Sequence, residues 1–223
     1  MSGKPQRALI IFARHPTPGR VKTRLSPPLT AAEAAELYRC MLLDILEKTE
    51  RLVGTERFIF YEDEPGAADF FRRQAAAEIF PQRGKDLGER MAAAFACVFS
   101  RGFSQAAIIG TDSPDLPLAF IEEAFARLED AGTDAVFGPA EDGGYYLLAL
   151  KRLHRELFRD IPWSSGDVLA QSLERCAASG MGVSLVPGWY DIDTAADLRR
   201  PGLAEANGAP RTGEFIRRWL APR

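Results

Sequence analysis

Three cationic side chains and a glycine stand close together early in the chain, in the segment PGRVKTRL (18–25). Arginine offers a planar fork of donors to phosphate oxygens, whereas lysine offers a compact point charge. Gly19 would let the backbone approach a ligand closely. The segment matches neither the G-x-G-x-x-G turn nor the G-x-x-x-x-G-K-[ST] loop of nucleotide-binding proteins. A solvated basic loop is the alternative, but the cluster of Arg20, Lys22 and Arg24 favours binding of an anion such as phosphate.

Aspartates follow two later apolar runs of the chain. Asp112 and Asp115 lie in GTDSPDLP, and Asp191 and Asp193 lie in WYDIDTAADL. Mg²⁺ in proteins prefers one or two carboxylates together with substrate phosphates. Asp112 is therefore a predicted metal ligand. Asp191 and Asp193 are two residues apart, so their side chains point the same way in an extended segment, and one of them is a candidate second ligand. The alternatives are turn formation and helix capping, in particular by Asp115, and Thr194 is expected to cap a short helix after the second pair.

Further candidates for substrate contacts lie in three segments that each join predicted elements. The segment QRGKDLGERM (82–91) enters a helix, whose N-terminus favours anions, and its candidates for nucleotide binding are Asp86 and Arg90. The other two segments are GPAEDGGYYLL (138–148) and IPWSSGD (161–167). They supply the candidate acceptor contacts Asp142, Gly143, Gly144, Tyr145, Trp163 and Ser164. For the two glycines a hairpin turn is the competing interpretation, and for Trp163 a place in the core.

The elements that must position these residues alternate between strand and helix. Short apolar runs predict strands at 7–14, 56–63, 78–82, 106–112, 134–140 and 145–151, and within 183–193. Helical spacing predicts helices after Thr30, with Glu33 completing a capping box, and at 65–76, 86–102, 118–132, 167–180 and 214–220. The alternation predicts an α/β fold, a three-layer α/β/α sandwich around a mostly parallel central sheet. Ligands of such sheets bind at the carboxyl ends of the strands, where the candidate residues stand.

Composition narrows the possible functions. Of 223 residues, 46% are hydrophobic and 26% charged, and the net charge of −3 gives no general attraction to nucleic acid or anionic lipid. No apolar run approaches the roughly 20 residues that span a bilayer, and the first residues lack the features of a signal peptide, so a cytoplasmic location is expected. The three cysteines form no CxxC motif and are expected to be small buried hydrophobic residues. Neither histidine has an obvious Ser or Cys partner, which argues against a nucleophilic triad.

A basic loop combined with strand-end aspartates suits a nucleotide whose phosphates are bridged by Mg²⁺ or Mn²⁺. Lys22 and Asp112 are the predicted catalytic residues, since cations there would offset the charge that develops on a phosphate leaving group.

Six segments, in order along nearly the whole chain, carry a family resemblance. They are PGRVKTRL (18–25), DLGERM (86–91), GTDSPDLP (110–117), GPAEDGGYYLLAL (138–150), IPWS (161–164) and DIDTAADL (191–198). With these segments the chain resembles the nucleotide-diphospho-sugar transferases of the GT-A fold. More narrowly, it resembles a bacterial glycosyltransferase-like family related to phospholactate guanylyltransferase and molybdenum-cofactor guanylyltransferase.

The resemblance implies a single GT-A domain over 1–223, with a nucleotide-binding half (1–117) and an acceptor-binding half (118–223). It implies phosphate contacts from the basic loop, including Gly19, and metal ligation by Asp112 and Asp193. Two departures stand out. Ala195 and Ala196 replace the Pro-Glu pair of the relatives, and SGDVL (165–169) replaces a more polar or basic run.

The expected function is a transferase that uses an activated nucleotide and a small-molecule acceptor. Glycosyl transfer from a nucleotide-sugar is favoured by the resemblance, whereas nucleotidylyl transfer with release of pyrophosphate is favoured by the charge of the loop. A non-catalytic nucleotide-binding module is the alternative from another class. Nucleic-acid binding is not expected, because one basic loop gives a short footprint without an aromatic stacking platform.

Overall fold

Seven strands form one sheet in the computed structural model, which describes residues 7–163, 165–205 and 208–221. The strands are β1 (Arg7–Ala13), β2 (Thr55–Tyr61), β3 (Glu78–Pro81), β4 (Gln105–Ile109), β5 (Ala135–Pro139), β6 (Tyr145–Leu150) and β7 (Val183–Leu185). Their order is β3-β2-β1-β4-β6-β5-β7. Only β6 runs antiparallel to its neighbours, and the other pairs of neighbouring strands are parallel.

Helices cover both faces of this sheet. They are α1 (Ala31–Thr49), α2 (Ala67–Gln74), α3 (Leu87–Phe99), α4 (Leu118–Arg127), α5 (Val168–Ala178) and α6 (Pro210–Leu220). Apolar side chains of α1, α2 and α4 form the core on one face, and those of α3 and α5 form the core on the other. Helix α6 packs on the outer side of α1 through Phe215 and Ile216. The predicted three-layer α/β/α sandwich with a mostly parallel sheet is confirmed.

Local sequence signals explain where the two helices nearest the site begin. Thr30 and Glu33 form the expected capping box: the Thr30 hydroxyl accepts from the Glu33 amide at 3.2 Å, and the Glu33 carboxylate accepts from the Thr30 amide at 2.8 Å. Asp86 caps α3, because its carboxylate accepts from the Glu89 amide at 2.8 Å. Each cap satisfies amide groups that a first helical turn leaves without partners.

Some element boundaries differ from the sequence-based expectation. Helix α4 ends at Arg127 rather than at residue 132, and β4 ends at Ile109, so that Asp112 lies in the loop beyond the strand. Pro117 precedes α4 and no side chain caps that helix, so the alternative role of Asp115 as its cap is wrong. Thr194 caps no helix either, because its hydroxyl donates to Asp197 beside a short 3-10 turn.

The two remaining general expectations concern cysteines and membranes. Cys40 and Cys176 are buried on helices, as expected, and Cys97 is half-buried on α3. Across the described ranges, no helix is both long and apolar enough to cross a bilayer.

Candidate active site

A cavity of about 790 Å³ opens where the loops after β1, β3 and β4 meet the β5–β6 turn. Residues of both the predicted nucleotide-binding half and the predicted acceptor-binding half line it. The predicted site residues that it brings together are Lys22, Arg24, Asp86, Arg90, Asp112, Asp142, Gly144, Tyr145, Trp163 and Asp193. Gly19, Arg20 and Gly143 are not among its lining residues, and Ser164 lies outside the described residues.

Lys22 lies between the two predicted metal ligands. Its ammonium Nζ is 2.5 Å from Asp112 Oδ1 and 2.9 Å from Asp193 Oδ1, and its side chain is only 5% exposed. Burial by itself lowers the pKa of Lys22, but the two carboxylates outweigh burial and the pKa is raised above its ordinary value. Lys22 is therefore protonated at neutral pH and acts as the counter-charge of both acids.

The backbone on either side of Lys22 is anchored in the core. Val21 and Leu25 are buried, and a short 3-10 turn spans Thr23–Leu25. Lys22 itself takes a left-handed conformation with φ 48°, which is uncommon for a residue other than glycine. Such strained residues persist where the surrounding structure fixes them, often at functional sites. Here the strain accompanies a lysine side chain that is directed at two carboxylates.

The other cations of the basic loop point in different directions. Arg24 is 72% exposed, and its Nη1 lies 3.7 Å from Asp193 Oδ2 at the edge of the cavity. Arg20 instead pairs through Nε with Glu64 at 3.3 Å, and His15 also contacts Glu64 and stacks edge-on against Phe70. Arg20 and His15 therefore hold the loop against α2 in this structure, and a phosphate contact of Arg20 stays a prediction.

Two loops that carry the aspartates are joined to each other by hydrogen bonds. The Ile192 amide donates to the Asp112 carbonyl at 2.9 Å, and the Ser113 hydroxyl donates to Asp191 Oδ1 at 2.6 Å. Asp115 accepts from Trp189 Nε1 at 3.2 Å and from the Tyr190 hydroxyl. Asp115 does not line the cavity, and its role is to hold the second loop. These bonds bring Asp193 next to Asp112.

Asp191 is the third acid at this position. Burial, reinforced by the negative charge of Asp112, raises its pKa to about 6. The hydrogen bond from Ser113 opposes this rise only in part. The sequence indicated the Asp191 and Asp193 pair, but not that Asp193 faces Lys22 while Asp191 turns to Ser113.

Two polar residues that line the cavity, Tyr38 and Gln82, are not among the predicted site residues. Tyr38 of α1 accepts from the Arg14 amide and shares a hydrogen bond of 2.8 Å with Thr111, and burial raises its pKa to about 12. Gln82 donates through Nε2 to the Phe60 carbonyl at 2.9 Å and closes the end of β3. The position of Gln82 directly after a strand was a usable signal. Tyr38 gave none, because its spacing is that of an ordinary core residue on α1.

The wall formed by the start of α3 combines charge with an apolar side chain. Asp86 caps the helix, and Arg90 donates through Nε to the Gly84 carbonyl at 3.3 Å. Leu87 is 44% exposed and lines the cavity beside them. This wall can offer both a cation and an apolar surface to a bound molecule.

The opposite wall is formed by the β5–β6 turn and the segment before α5. Asp142 Oδ1 accepts from the Gly144 amide at 2.9 Å, which confirms the hairpin turn. Gly143 has φ 88°, and a Cβ there would lie 1.9 Å from the Gly166 carbonyl oxygen, so its glycine is required by packing. Trp163 lies over Gly88, where a Cβ would come within 2.7 Å of the indole. This wall presents aromatic rings and a carboxylate.

The donor set of the site fits a divalent cation. Among the described residues, no group of three or more histidine, cysteine, aspartate or glutamate side chains forms a ready metal cluster. Asp112 and Asp193 nevertheless converge on one small cation, the Lys22 ammonium, which occupies the point where their oxygens meet. Hard carboxylate oxygens of this kind suit Mg²⁺ or Mn²⁺.

Solved structures with the same fold define the class of protein. A provisional nucleotide-diphospho-sugar transferase from Desulfovibrio desulfuricans G20 is 29% identical, with a TM-score of 0.85, and the match covers 96% of this chain and 98% of that one. The predicted resemblance and the predicted class, a transferase, are confirmed at this level. The chain belongs to the family described as uncharacterized protein conserved in bacteria (DUF2064), whose model matches residues 45–165.

More distant structures share the fold. A cytidylyltransferase from Leptospira borgpetersenii serovar Hardjo-bovis is 13% identical, with a TM-score of 0.58 over 86% of this chain and 83% of that one. A mannosyltransferase from Pyrobaculum calidifontis, solved with GDP-Man and Mn²⁺, is 15% identical, with a TM-score of 0.51 over 92% of this chain and 60% of that one. No curated protein matches the chain in sequence.

Proposed function

We propose that the protein is a metal-dependent transferase that moves a group from an activated nucleotide to a small-molecule acceptor. The observation that carries this proposal is the convergence of Lys22, Asp112 and Asp193 at one end of a cavity that both halves of the chain line. The likeness to the Desulfovibrio desulfuricans protein over nearly the whole chain supports the same class.

The two acids and the basic loop have complementary roles in this proposal. Asp112 and Asp193 hold Mg²⁺ or Mn²⁺, which when bound neutralises charge on the nucleotide phosphates. Lys22 and Arg24 bind phosphate oxygens, Lys22 as a buried point charge and Arg24 from the exposed rim. Most of the rate enhancement then comes from positioning and from stabilisation of the leaving phosphate.

Glycosyl transfer from a nucleotide-sugar is the reaction that we place first. The wall containing Asp142, Tyr145 and Trp163 offers aromatic rings and a carboxylate, which suit a hydroxyl-bearing acceptor. Nucleotidylyl transfer from a nucleoside triphosphate is the second candidate, since the cations that line the predicted nucleotide-binding half, Lys22 and Arg24 among them, could hold a triphosphate. A small-molecule acceptor and a cytoplasmic location are parts of the same proposal.

A thermal-shift panel tests the proposal. Nucleoside diphosphate sugars and nucleoside triphosphates are added with Mg²⁺, with Mn²⁺ or with neither. A ligand at about 100 times its Kd stabilises by about 2.7 kcal/mol, which raises Tm by roughly 5–10 °C in a chain of this size. We expect such a shift for at least one nucleotide with metal, and a much smaller one for Asp112→Asn.

The matched control is Asp63→Asn, which changes an exposed carboxylate paired with Arg83 away from the cavity. The absence of a shift with every nucleotide, or an equal shift in Asp112→Asn, contradicts the proposal. A larger shift with triphosphates than with nucleotide-sugars moves nucleotidylyl transfer to first place. Measuring release of nucleoside diphosphate or pyrophosphate then separates both reactions from a non-catalytic binding module.

A further inference from the structure

We infer that the Lys22 ammonium is an internal occupant of the cation position, so that the site accepts a divalent metal together with a nucleotide and not as the free ion. The inference rests on the proposed function, which assigns the metal to Asp112 and Asp193. It adds that Lys22 and the metal exclude each other and that the phosphates of the nucleotide are needed to exchange them.

The first argument is one of space. Lys22 Nζ touches Asp112 and Asp193 at 2.5 and 2.9 Å, and its side chain is buried. A divalent ion shared by the same two oxygens would lie about 2.0–2.6 Å from each, depending on the metal. The ammonium and the ion therefore compete for one position, and one of them must leave when the other enters.

The second argument is one of charge. Three carboxylates, those of Asp112, Asp191 and Asp193, interact electrostatically with the Lys22 ammonium, and Asp191 also interacts with the other two acids. A free metal ion that entered would take Asp112 and Asp193 from the buried ammonium and leave it with Asp191, whose carboxylate is already bonded to Ser113, which is unfavourable. A metal–nucleotide complex supplies phosphate oxygens to the displaced ammonium at the same moment. Free metal is therefore a poor ligand, and the complex is a good one.

The third argument is that the exchange needs little movement of the backbone. Val21 and Leu25 anchor the loop on both sides of Lys22 in the core. Lys22 lines the same cavity as Thr23 and Arg24, so an ammonium released by the acids would still face the space that the proposal assigns to phosphate.

Binding of Mn²⁺ alone to the full-length protein, followed by electron paramagnetic resonance and calorimetry, tests the inference. Lys22→Met removes the competing ammonium and is expected to bind free Mn²⁺ at least about tenfold more tightly than the wild type, a gain of affinity on loss of a residue. Arg24→Met is the matched control. It removes an exposed cation near the same Asp193, and its gain is expected to be at most about threefold.

Two further variants make the result decisive. Lys22→Gln repeats the test with a polar side chain, and circular dichroism shows that each variant is folded. Asp112→Asn added to Lys22→Met should abolish the gained Mn²⁺ affinity, which locates the ion. If folded Lys22→Met and Lys22→Gln bind free Mn²⁺ no more tightly than the wild type, the inference is wrong.

The failure of this inference is distinguishable from that of the proposed function. Wild-type protein that binds a nucleotide with Mn²⁺, without a gain for free Mn²⁺ in the Lys22 variants, overturns the inference alone. Wild-type protein that binds no nucleotide with metal overturns the proposed function and the inference with it.

Discussion

Asp191 shows how the environment of one side chain changes its chemistry within the cavity. Burial and the neighbouring Asp112 raise its pKa to about 6, compared with about 4 for an exposed aspartate. Between these two values the folded protein binds more protons than the unfolded chain. The contribution of Asp191 to stability therefore falls as pH rises from about 4 to about 6, and it is constant above that range.

Asp191→Asn is expected to stabilise the metal-free protein at neutral pH. The asparagine keeps an oxygen that can accept from Ser113 but removes a buried charge beside Asp112. The gain in unfolding free energy should be about 1–3 kcal/mol at pH 7 and close to zero at pH 4. Urea unfolding of both proteins at several pH values, with a chelator present, measures the difference.

Only the pH dependence of that difference identifies Asp191 as the titrating group, because other carboxylates change the stability of both proteins alike. A difference that is the same at pH 4 and pH 7 contradicts the raised pKa. A destabilised Asp191→Asn protein at pH 7 would show that the charge of Asp191 is needed to hold Lys22.

At the scale of elements, the half-buried Asp115 and the buried Asp44 each join segments that are distant in sequence. Asp115 holds the 189–190 segment through Trp189 and the Tyr190 hydroxyl, which places the following residues beside Asp112. Asp44 of α1 accepts from the Thr212 amide and hydroxyl, both at 2.8 Å, and so fixes the start of α6. The first joint precedes the cavity-lining residues Asp191 and Asp193 directly in the chain, whereas the second lies away from the cavity.

Replacing each aspartate by alanine separates stability from binding. Asp44→Ala leaves the buried donors of Thr212 without this partner and should lower the unfolding free energy by about 1–3 kcal/mol. Asp115→Ala does the same to the half-buried donors of Trp189 and Tyr190, and its loss of stability should be smaller. Asp115→Ala should also weaken binding of a metal–nucleotide complex, because Asp193 is no longer held in place. Asp44→Ala should leave that binding unchanged. Urea unfolding and calorimetric titration of the two variants, side by side, measure both effects.

Equal losses of nucleotide affinity in the two variants would mean that Asp115 acts through general stability and does not position the site. Unchanged affinity in both would mean that the 189–193 segment reaches Asp112 without the help of Asp115. In either case the assignment of Asp115 as a positioning residue is wrong.

The elements themselves were largely readable from the sequence, because apolar periodicity and caps such as Thr30 with Glu33 are local signals. The directions of side chains in loops were not. Arg20 and Lys22 are two residues apart in one basic loop, yet one meets Glu64 and the other meets Asp112. That difference depends on the left-handed backbone of Lys22 and on long-range partners, which no local pattern specifies. For the same reason Asp115 resembled a helix cap and instead binds a distant loop.

At the scale of the whole molecule, the two halves predicted to bind nucleotide and acceptor share one sheet. Strand β4 of the first half pairs with β1 on one side and with β6 of the second half on the other. Both main core clusters contain residues from both halves, for example Ile109 with Val136 on one face. Neither half has a core of its own, so the two are expected to fold as one cooperative unit.

The positions of the tryptophans allow a test of this cooperativity. All three, Trp163, Trp189 and Trp219, lie in the second half, so fluorescence reports on that half, whereas far-ultraviolet circular dichroism reports on the whole chain. We expect urea unfolding curves from the two signals to coincide, as they do for a two-state transition. A nucleotide with metal should shift both curves together, because its cavity spans the halves. A fluorescence transition separate from the circular dichroism transition would show that the halves unfold independently. If the nucleotide then shifted only one of the two transitions, the nucleotide site would lie in the corresponding half alone.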